Sequence, residues 1–299
     1  HTLSSMDAIL DAPLREYGPQ RLVATLLLPL CWFVGFPMYV AIFSSRPFSD
    51  DELAGLSCSC AADALDAESG SNVSAMGSIN TTADICGACG GAVACEPHPA
   101  LVASSFGLHC SDKAVLALPS SCVTLGILVG AFFGGPLSDR IGRRPTLLGG
   151  LALQAGWTAL TAAAPSFPFY LAAKLVTGVG MSAVTQAGYT LSAEIVGPRL
   201  RTPLTIEAWS YCWATMVGCT AMLAYALRGA SWRTLELTVA LPAAALLAAI
   251  AALVPESPRW LLKQGRRGEA EAVLRRLTGS AGESDAAVQM DSTAAADAT

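Results

Sequence analysis

Six stretches of this chain, at about 21 to 44, 114 to 137, 145 to 164, 167 to 193, 203 to 227 and 232 to 254, have interiors almost free of Asp, Glu, Lys and Arg. A hydrocarbon core about 30 Å thick needs roughly 20 apolar residues to be crossed by one helix, and a charge at its centre costs several kcal/mol. The stretches therefore predict six transmembrane helices, with boundaries soft by several residues. Buried helices of a large soluble core would need interleaved polar faces, and the run from Val239 to Val254 has none. Composition points the same way. The 299 residues are 53% hydrophobic and 14% charged, with a mean hydropathy of +0.49, whereas soluble domains carry about 25% charged residues. The fold class expected is an all-α membrane protein in contact with the lipid bilayer. Lys174 and Glu207 are charges inside spans, and Arg233 and Glu236 lie near the outer end of the sixth.

The net charge of -5 says little about partners when charges are sorted to opposite sides of a bilayer; their placement says more. Arg15, Arg21, Arg140, Arg143, Arg144, Arg199, Arg201, Arg259, Lys263, Arg266, Arg267, Arg275 and Arg276 flank the spans on one side, against Arg46, Lys113, Arg228 and Arg233 on the other. Short cytoplasmic loops retain Lys and Arg, so both termini are expected inside and the segment from 45 to 113 outside.

That outer segment holds the sequons Asn72-Val73-Ser74 and Asn80-Thr81-Thr82, which are modified only on an external or lumenal face. It also holds Cys58, Cys60, Cys86, Cys89, Cys95 and Cys110. Six cysteines in an oxidising compartment predict up to three disulfides, with 15 connectivities open. A redox role for Cys86-Gly87-Ala88-Cys89, or a zinc site with His98 and His109, lacks a supporting fold pattern, so the reading is a stapled, glycosylated cap without metal. Asp and Glu outnumber Lys and Arg in this loop, an excess that either concentrates cations near the entrance or simply solvates it.

Between the second and third spans lies Gly135-Pro136-Leu137-Ser138-Asp139-Arg140-Ile141-Gly142-Arg143-Arg144. This resembles the signature loop of the major facilitator superfamily, on the side the family requires. In physical terms Gly135 would let two helices approach closely, Gly142 would supply an unusual backbone angle, and Asp139 would cap or pair with the surrounding arginines. Two further segments narrow the resemblance. Gly188-Tyr189-Thr190-Leu191-Ser192-Ala193-Glu194-Ile195-Val196-Gly197 with Arg201, and Pro255-Glu256-Ser257-Pro258-Arg259-Trp260-Leu261-Leu262, look like the organic cation/anion transporter branch. Sugar porters have a similar Pro-Glu-Ser-Pro-Arg run. The long cysteine-rich outer loop, with the Trp232-Arg233 and Leu241-Pro242 pairs, separates the two.

The resemblance implies twelve spans in two related halves, with the substrate between them near the midplane. This chain carries six spans and the start of a cytoplasmic linker, and it begins with His; it is expected to be the N-terminal half, whose partner is the C-terminal six-helix half, with a six-span homodimer as the alternative. Residues 1–20 would be a cytoplasmic N-terminus, 21–254 the bundle, 255–278 two linker helices, and 279–299, rich in Ala, Ser, Asp and Thr, a disordered tail. Ser257 would cap the first linker helix, Pro258 would open it and Gly265 would end it. Val273, Leu274 and Leu277 give the second an apolar side.

By the same resemblance, the cavity would be lined by spans one, two, four and five. Trp32, Phe36 and Tyr39 recur at helical spacing on span one; Thr185, Gln186 and Tyr189 share a face of span four; Glu207, Tyr211 and Trp213 cluster on span five with Trp209 and Cys212. Desolvated aromatic rings attract an organic cation by about 0.5 to 2 kcal/mol each. Tyr189 and Tyr211 match aromatic cavity positions of cation transporters, and a Trp of some relatives is replaced by Thr185. Lys174-Leu175-Val176-Thr177-Gly178-Val179-Gly180 resembles the family's Arg-initiated motif on span four, with Lys174 either finding a buried partner or snorkelling outwards. Glu207 would attract cations or pair with a cytoplasmic arginine. On the inner side Gly135, Asp139, Arg140, Gly142, Arg143, Arg144, Glu194, Arg201, Glu256 and Arg259 would form a breakable latch.

The function implied is alternating-access transport of small organic ions, mainly cations, at the plasma membrane, without cofactor, nucleic acid or enzymatic chemistry. A proton-coupled sugar porter and a non-transporting membrane glycoprotein or inactive half-transporter are the alternatives.

Overall fold

The computed structural model describes residues 27–31, 37, 40, 58–60, 93–95, 101–108, 111, 113–196 and 201–278. Trp32, Phe36, Tyr39, Asn72, Asn80, Cys86, Cys89, Cys110 and the two terminal segments lie outside the described residues. Two short strands, β1 (Cys58–Cys60) and β2 (Val93–Cys95), precede helices α1 (Val102–Ser105), α2 (Lys113–Ile141), α3 (Arg143–Ala162) and α4 (Phe167–Ile195). A π-helical turn, Thr202–Glu207, runs into α5 (Ala208–Ala226), followed by α6 (Trp232–Leu253), α7 (Pro258–Lys263) and α8 (Arg267–Thr278).

The strands pair antiparallel with Cys58 opposite Cys95. Directly opposed residues of an antiparallel pair have Cα atoms about 4.5 to 5.5 Å apart, within the range a disulfide spans. Of the connectivities open to six cysteines, this register favours those that join Cys58 to Cys95. Non-reducing proteolysis and mass spectrometry of the protein is expected to recover a peptide crosslinked between these two residues; finding each of them joined elsewhere would contradict the register.

The helices α2 to α6 form the bundle, with α4 between α2 and α3 and α3 packed in turn on α6. The main core joins Leu147 and Leu151 of α3, Val184, Ala187, Leu191 and Ile195 of α4, Trp209 of α5, Ile250 of α6 and Leu277 of α8, with Leu28 and Cys31. Outside it the usual pattern is inverted: Phe132 and Phe133 of α2 are 72% and 70% exposed. In water such a surface would be costly at about 25 cal/mol per Å²; against acyl chains it is not. The polar side chains Gln154, Thr158 and Thr161 of α3 are instead buried in the bundle, as expected where lipid replaces water outside.

Ala114–Ile141, Phe167–Ile195 and Trp232–Leu253 are long and apolar enough to cross a membrane, by length and composition. The first expected span, 21–44, lies almost wholly outside the described residues; of the other five, these three meet the criterion and α3 and α5 do not. The reason is chemical: α3 opens on two arginines and carries Gln and Thr, and α5 is rich in Ser, Thr, Trp and Tyr.

Close approach of α2 and α4 occurs elsewhere than Gly135. A Cβ added at Gly126 would lie 2.0 Å from the Leu175 carbonyl oxygen, and one at Gly178 2.2 Å from that of Val123, whereas at Gly135 the nearest atom would be Gln186 Oε1 at 3.5 Å, an ordinary contact. The crossing point is therefore two to three turns deeper into the membrane than the signature loop, at small residues that let backbones touch.

The end of the bundle that carries the signature loop follows from local rules. Ser257 Oγ accepts from the Trp260 amide at 3.2 Å, capping α7 ahead of Pro258, and Gly265 takes φ 74° after it. Helix α8 then turns Ala270, Leu274 and Leu277 inward.

Candidate functional site

The signature loop is a one-residue break between two long helices. Gly142 takes φ 114°, a region closed to most side chains, and a Cβ there would come within 2.5 Å of Glu256 Oε2. The backbone angle requires glycine, and a side chain there would displace the Glu256 carboxylate. The turn exposes the first amides of α3, and Glu256 closes on them: its Oε1 accepts from the Arg143 and Arg144 amides, each at 3.1 Å, and from the Ser257 amide at 2.9 Å. A carboxylate at a helix N-terminus satisfies otherwise unpaired amides and the positive end of the helix dipole.

Arg143 itself is 5% exposed and holds three segments together. Its Nε and Nη2 donate to the two carboxylate oxygens of Glu194 at 3.2 and 3.3 Å, its Nη1 to the Ser138 carbonyl at 3.0 Å, and its Nη2 lies 2.8 Å from Asp139 Oδ1. Two parallel bonds to one carboxylate give this contact both strength and direction. Trp260 Nε1 donates to the Asp139 carbonyl at 2.8 Å, and Arg144 Nη2 to the Ala251 carbonyl at 2.6 Å. Arg201 donates to the Ala193 carbonyl at 3.2 Å. Arg140 stays exposed, and partial burial pulls the Arg259 guanidinium below its ordinary value. The α2–α3 loop, the end of α4 and the segment after α6 thus meet at one end of the bundle.

A cavity of about 360 Å³ lies between α4 and α5, lined by Tyr189, Thr205, Ile206, Trp209, Ser210 and Trp213. Tyr189 and Trp209 meet edge to face with ring centroids 5.7 Å apart, and Gly188 makes room for this, since a Cβ there would lie 3.1 Å from the Trp209 ring. Of the residues expected to line the site, Tyr189 and Trp213 do. Tyr211 is 72% exposed on the outside of α5, and Glu207 is also exposed, at the end of the π-helical turn. Thr185 turns back on α4, donating to the Met181 and Ser182 carbonyls, and Gln186 donates to Ser182 Oγ at 2.9 Å beside Gly134. Thr205 and Ser210 carry no aromatic or charge signal in the sequence; Thr205 lies in the π-helical turn, and Ser210 stands three residues before Trp213 on the same face of α5.

A second polar cluster lies near the outer ends of α4 and α6. Lys174 Nζ is 2.7 Å from Glu236 Oε1, with side chains 1% and 0% exposed. Tyr170 Oη donates to Glu236 Oε1 at 3.2 Å and Lys174 Nζ to the Pro37 carbonyl at 3.5 Å, while Thr161 Oγ1, which donates to the Thr158 carbonyl, lies 3.4 Å from Glu236 Oε2. Lys174 does not snorkel. Its partner, Glu236, was visible in the sequence as a charge near a span end, but nothing in a linear pattern joins residues 62 positions apart.

A family model described as Sugar (and other) transporter matches residues 67–298. Solute carrier family 22 member 1 of Bos taurus is 37% identical over 173 residues, 58% of this chain and 30% of that protein. Organic anion transporter 3 of Homo sapiens is 33% identical over 176 residues, 59% of this chain and 32% of that protein. The matched segments span about a third of the length of these curated relatives. The fold is that of the xylose transporter XylE from E. coli in a partially occluded inward-open conformation, at a TM-score of 0.57 and 17% identity over 93% of this chain and 60% of that one. The same protein, described as a major facilitator superfamily proton:xylose symporter and bound to a bromodeoxyglucose, aligns at a TM-score of 0.56 with 18% identity, over 89% of this chain and 50% of that one.

Proposed function

We propose that this chain, which belongs to the Sugar (and other) transporter family, forms the first six spans of a twelve-span plasma-membrane transporter that moves small organic ions, chiefly cations, by facilitated alternating access. The observation that carries the reading is the cavity wall. Tyr189, Trp209 and Trp213 present rings, and the Thr205 and Ser210 hydroxyls, which donate to the Arg201 and Ile206 carbonyls, keep lone pairs to accept from a ligand. Such a surface favours flat or bulky organic cations through ring quadrupoles and stacking, and its hydroxyls tolerate varied headgroups. Relatives named as organic cation and anion transporters support the same substrate class.

The sugar-porter reading has its own support in the family description and the XylE fold. Against it, the amide that would recognise sugar hydroxyls, Gln186, is bonded to Ser182 within its own helix. Facing the second half, Trp32, Phe36, Tyr39, Glu207 and Tyr211 would complete the substrate path. On the outer side, Asn72 and Asn80 would carry glycans on a disulfide-stapled cap. Beneath the bundle, the Arg143–Glu194 and Glu256 contacts would hold the cytoplasmic gate and break in each cycle.

Uptake of several labelled organic cations by cells expressing the full-length protein tests the proposal. Saturable uptake with mutual inhibition is expected, and Trp213→Ala should raise the half-saturation concentration of aromatic cations about 5- to 30-fold, the loss of one ring contact of about 1 to 2 kcal/mol. Uptake of a hexose without any organic ion would replace the reading with the sugar porter.

A further inference from the structure

At the end of the bundle that carries the signature loop, a second group of charges lies outside the Arg143, Glu194 and Glu256 contacts, on the two helices after α6. Residues 258–278 hold Arg259, Lys263, Arg266, Arg267, Arg275 and Arg276 against Glu269 and Glu271. Arg266 donates to both oxygens of Glu269, at 2.7 and 2.6 Å, and the remaining excess is positive. Helix α8 sorts that excess to one side. Ala270, Leu274 and Leu277, at spacings of four and three, are buried, whereas Arg267, Arg275 and Arg276 are exposed, as are Lys263 and Arg266 before them.

Height relative to the bilayer decides what can meet this surface. Ile141 at the end of α2 and Leu253 at the end of α6 are exposed apolar side chains, so hydrocarbon reaches to about their level. Both linker helices are fastened at that level. Trp260 Nε1 of α7 donates to the carbonyl of Asp139, two residues before Ile141, and Leu277 and Val273 of α8 pack in one cluster with Ile195 and with Val254, the residue after Leu253. Long basic side chains anchored there place their charged heads in the polar layer that borders the hydrocarbon. Clusters of about four to eight Lys and Arg immediately beside a membrane helix attract anionic lipid.

We propose that the exposed basic side of α7 and α8 binds the headgroups of anionic phospholipids in the leaflet at this end, the cytoplasmic one on the reading above. The surface needs the bundle in a bilayer and no particular transported substrate. The rival occupant is the chain's own segment 279–299, which carries Glu283, Asp285, Asp291 and Asp297 and no Lys or Arg. Lipid is favoured because headgroups already stand at the height of the two helices, whereas holding a peptide segment there costs conformational entropy at every residue.

The test uses the full-length protein in phosphatidylcholine vesicles with trace spin-labelled phosphatidylserine or spin-labelled phosphatidylcholine, and reads by electron paramagnetic resonance the fraction of each label held at the protein. At about 0.1 M salt the serine lipid is expected to associate about threefold or more better than the choline lipid. Most of that excess should vanish at about 1 M salt, where the Debye length falls to about 3 Å. The variant K263Q/R267Q/R275Q/R276Q should lose about half of the excess or more, and Arg228→Gln, at the other end of the bundle, should keep it. Equal association of the two lipids with the wild type, or an excess that the quadruple variant retains in full, would overturn the proposal. So would an excess that appears only in E283Q/D285N/D291N/D297N, which would make segment 279–299 the occupant. Lipid association is read without transport, so this surface stands or falls separately from the organic-ion reading.

Discussion

Replacing Gly178 with valine is expected to abolish the folded bundle. A Cβ at this position would sit 2.2 Å from the Val123 carbonyl oxygen and 3.1 Å from the Gly126 Cα, and a Cβ at Gly126 would meet the Leu175 carbonyl oxygen at 2.0 Å. These are backbone atoms on both sides, so no rotamer can relieve the overlap, and α2 and α4 must separate along their longest interface. Overpacking a core commonly costs about 1 to 3 kcal/mol where side chains can yield; here they cannot, and stability is only about 5 to 15 kcal/mol in total. In detergent, Gly178→Val should lose the monodisperse peak in fluorescence-detected size exclusion. Gly156→Ala is the control, because no atom lies within 4 Å of a Cβ there and alanine favours helix. Gly178→Val behaving like that control would refute the close crossing of α2 and α4.

Removing the Arg143 side chain should produce a different failure, a protein that binds substrate and turns over slowly. Arg143 is buried and joined to Glu194, Ser138 and Asp139, while Glu256 holds the start of α3 from the segment after α6. All of these lie at the end of the bundle that carries the signature loop, and none of them lines the Tyr189–Trp209 cavity, although Glu194 follows Tyr189 on α4 by only about 8 Å. Their loss should therefore alter the balance of conformations, which differ by a few kcal/mol, and leave the binding surface intact. Arg143→Ala and Glu256→Gln are each expected to lower the maximal transport rate per surface molecule about tenfold or more, about 1.4 kcal/mol of barrier, with half-saturation changed less than about threefold. Asp139→Asn should do less. Its carboxylate is 70% exposed, and an exposed pair contributes only about 0 to 1 kcal/mol. Normal turnover in Arg143→Ala and Glu256→Gln would leave these residues with a topological role alone.

Much of this arrangement is legible in the sequence, for reasons that differ from place to place. The helices follow from sustained absence of charge, a signal that needs no tertiary knowledge, and α2, α4 and α6 carry it most strongly. The cytoplasmic motifs are legible piece by piece: Gly142 needs its backbone angle wherever the chain goes, and Ser257-Pro258 makes a cap by local rules, but the joining of Arg143 to Glu194, 51 positions away, and of its amide to Glu256, 113 positions away, is set by the packing of the helices. The cavity is half legible. Tyr189 and Trp213 reach it, but Tyr211, grouped with them by the resemblance, stands two residues from Trp213 and so on another side of α5, while Trp209 and Ser210, four and three residues before Trp213, share its face. Gly135 misleads for a related reason, since the motif marks the loop while contact between α2 and α4 is set by Gly126, Gly130 and Gly178 deeper in the membrane. The pairing of Lys174 with Glu236 depends on how α4 and α6 are placed around α3, and no local pattern encodes it.

Counterflow in reconstituted vesicles tests the central claim, alternating access for organic ions, most directly. Proteoliposomes of the full-length protein are loaded with millimolar unlabelled tetraethylammonium and diluted into trace labelled tetraethylammonium. A carrier that exposes one site to each side in turn must exchange outgoing for incoming substrate, so a transient overshoot of label above equilibrium is predicted, abolished by an excess of a second organic cation outside and not by glucose. The contradicting result is an overshoot of labelled hexose in hexose-loaded vesicles together with none for the organic cation.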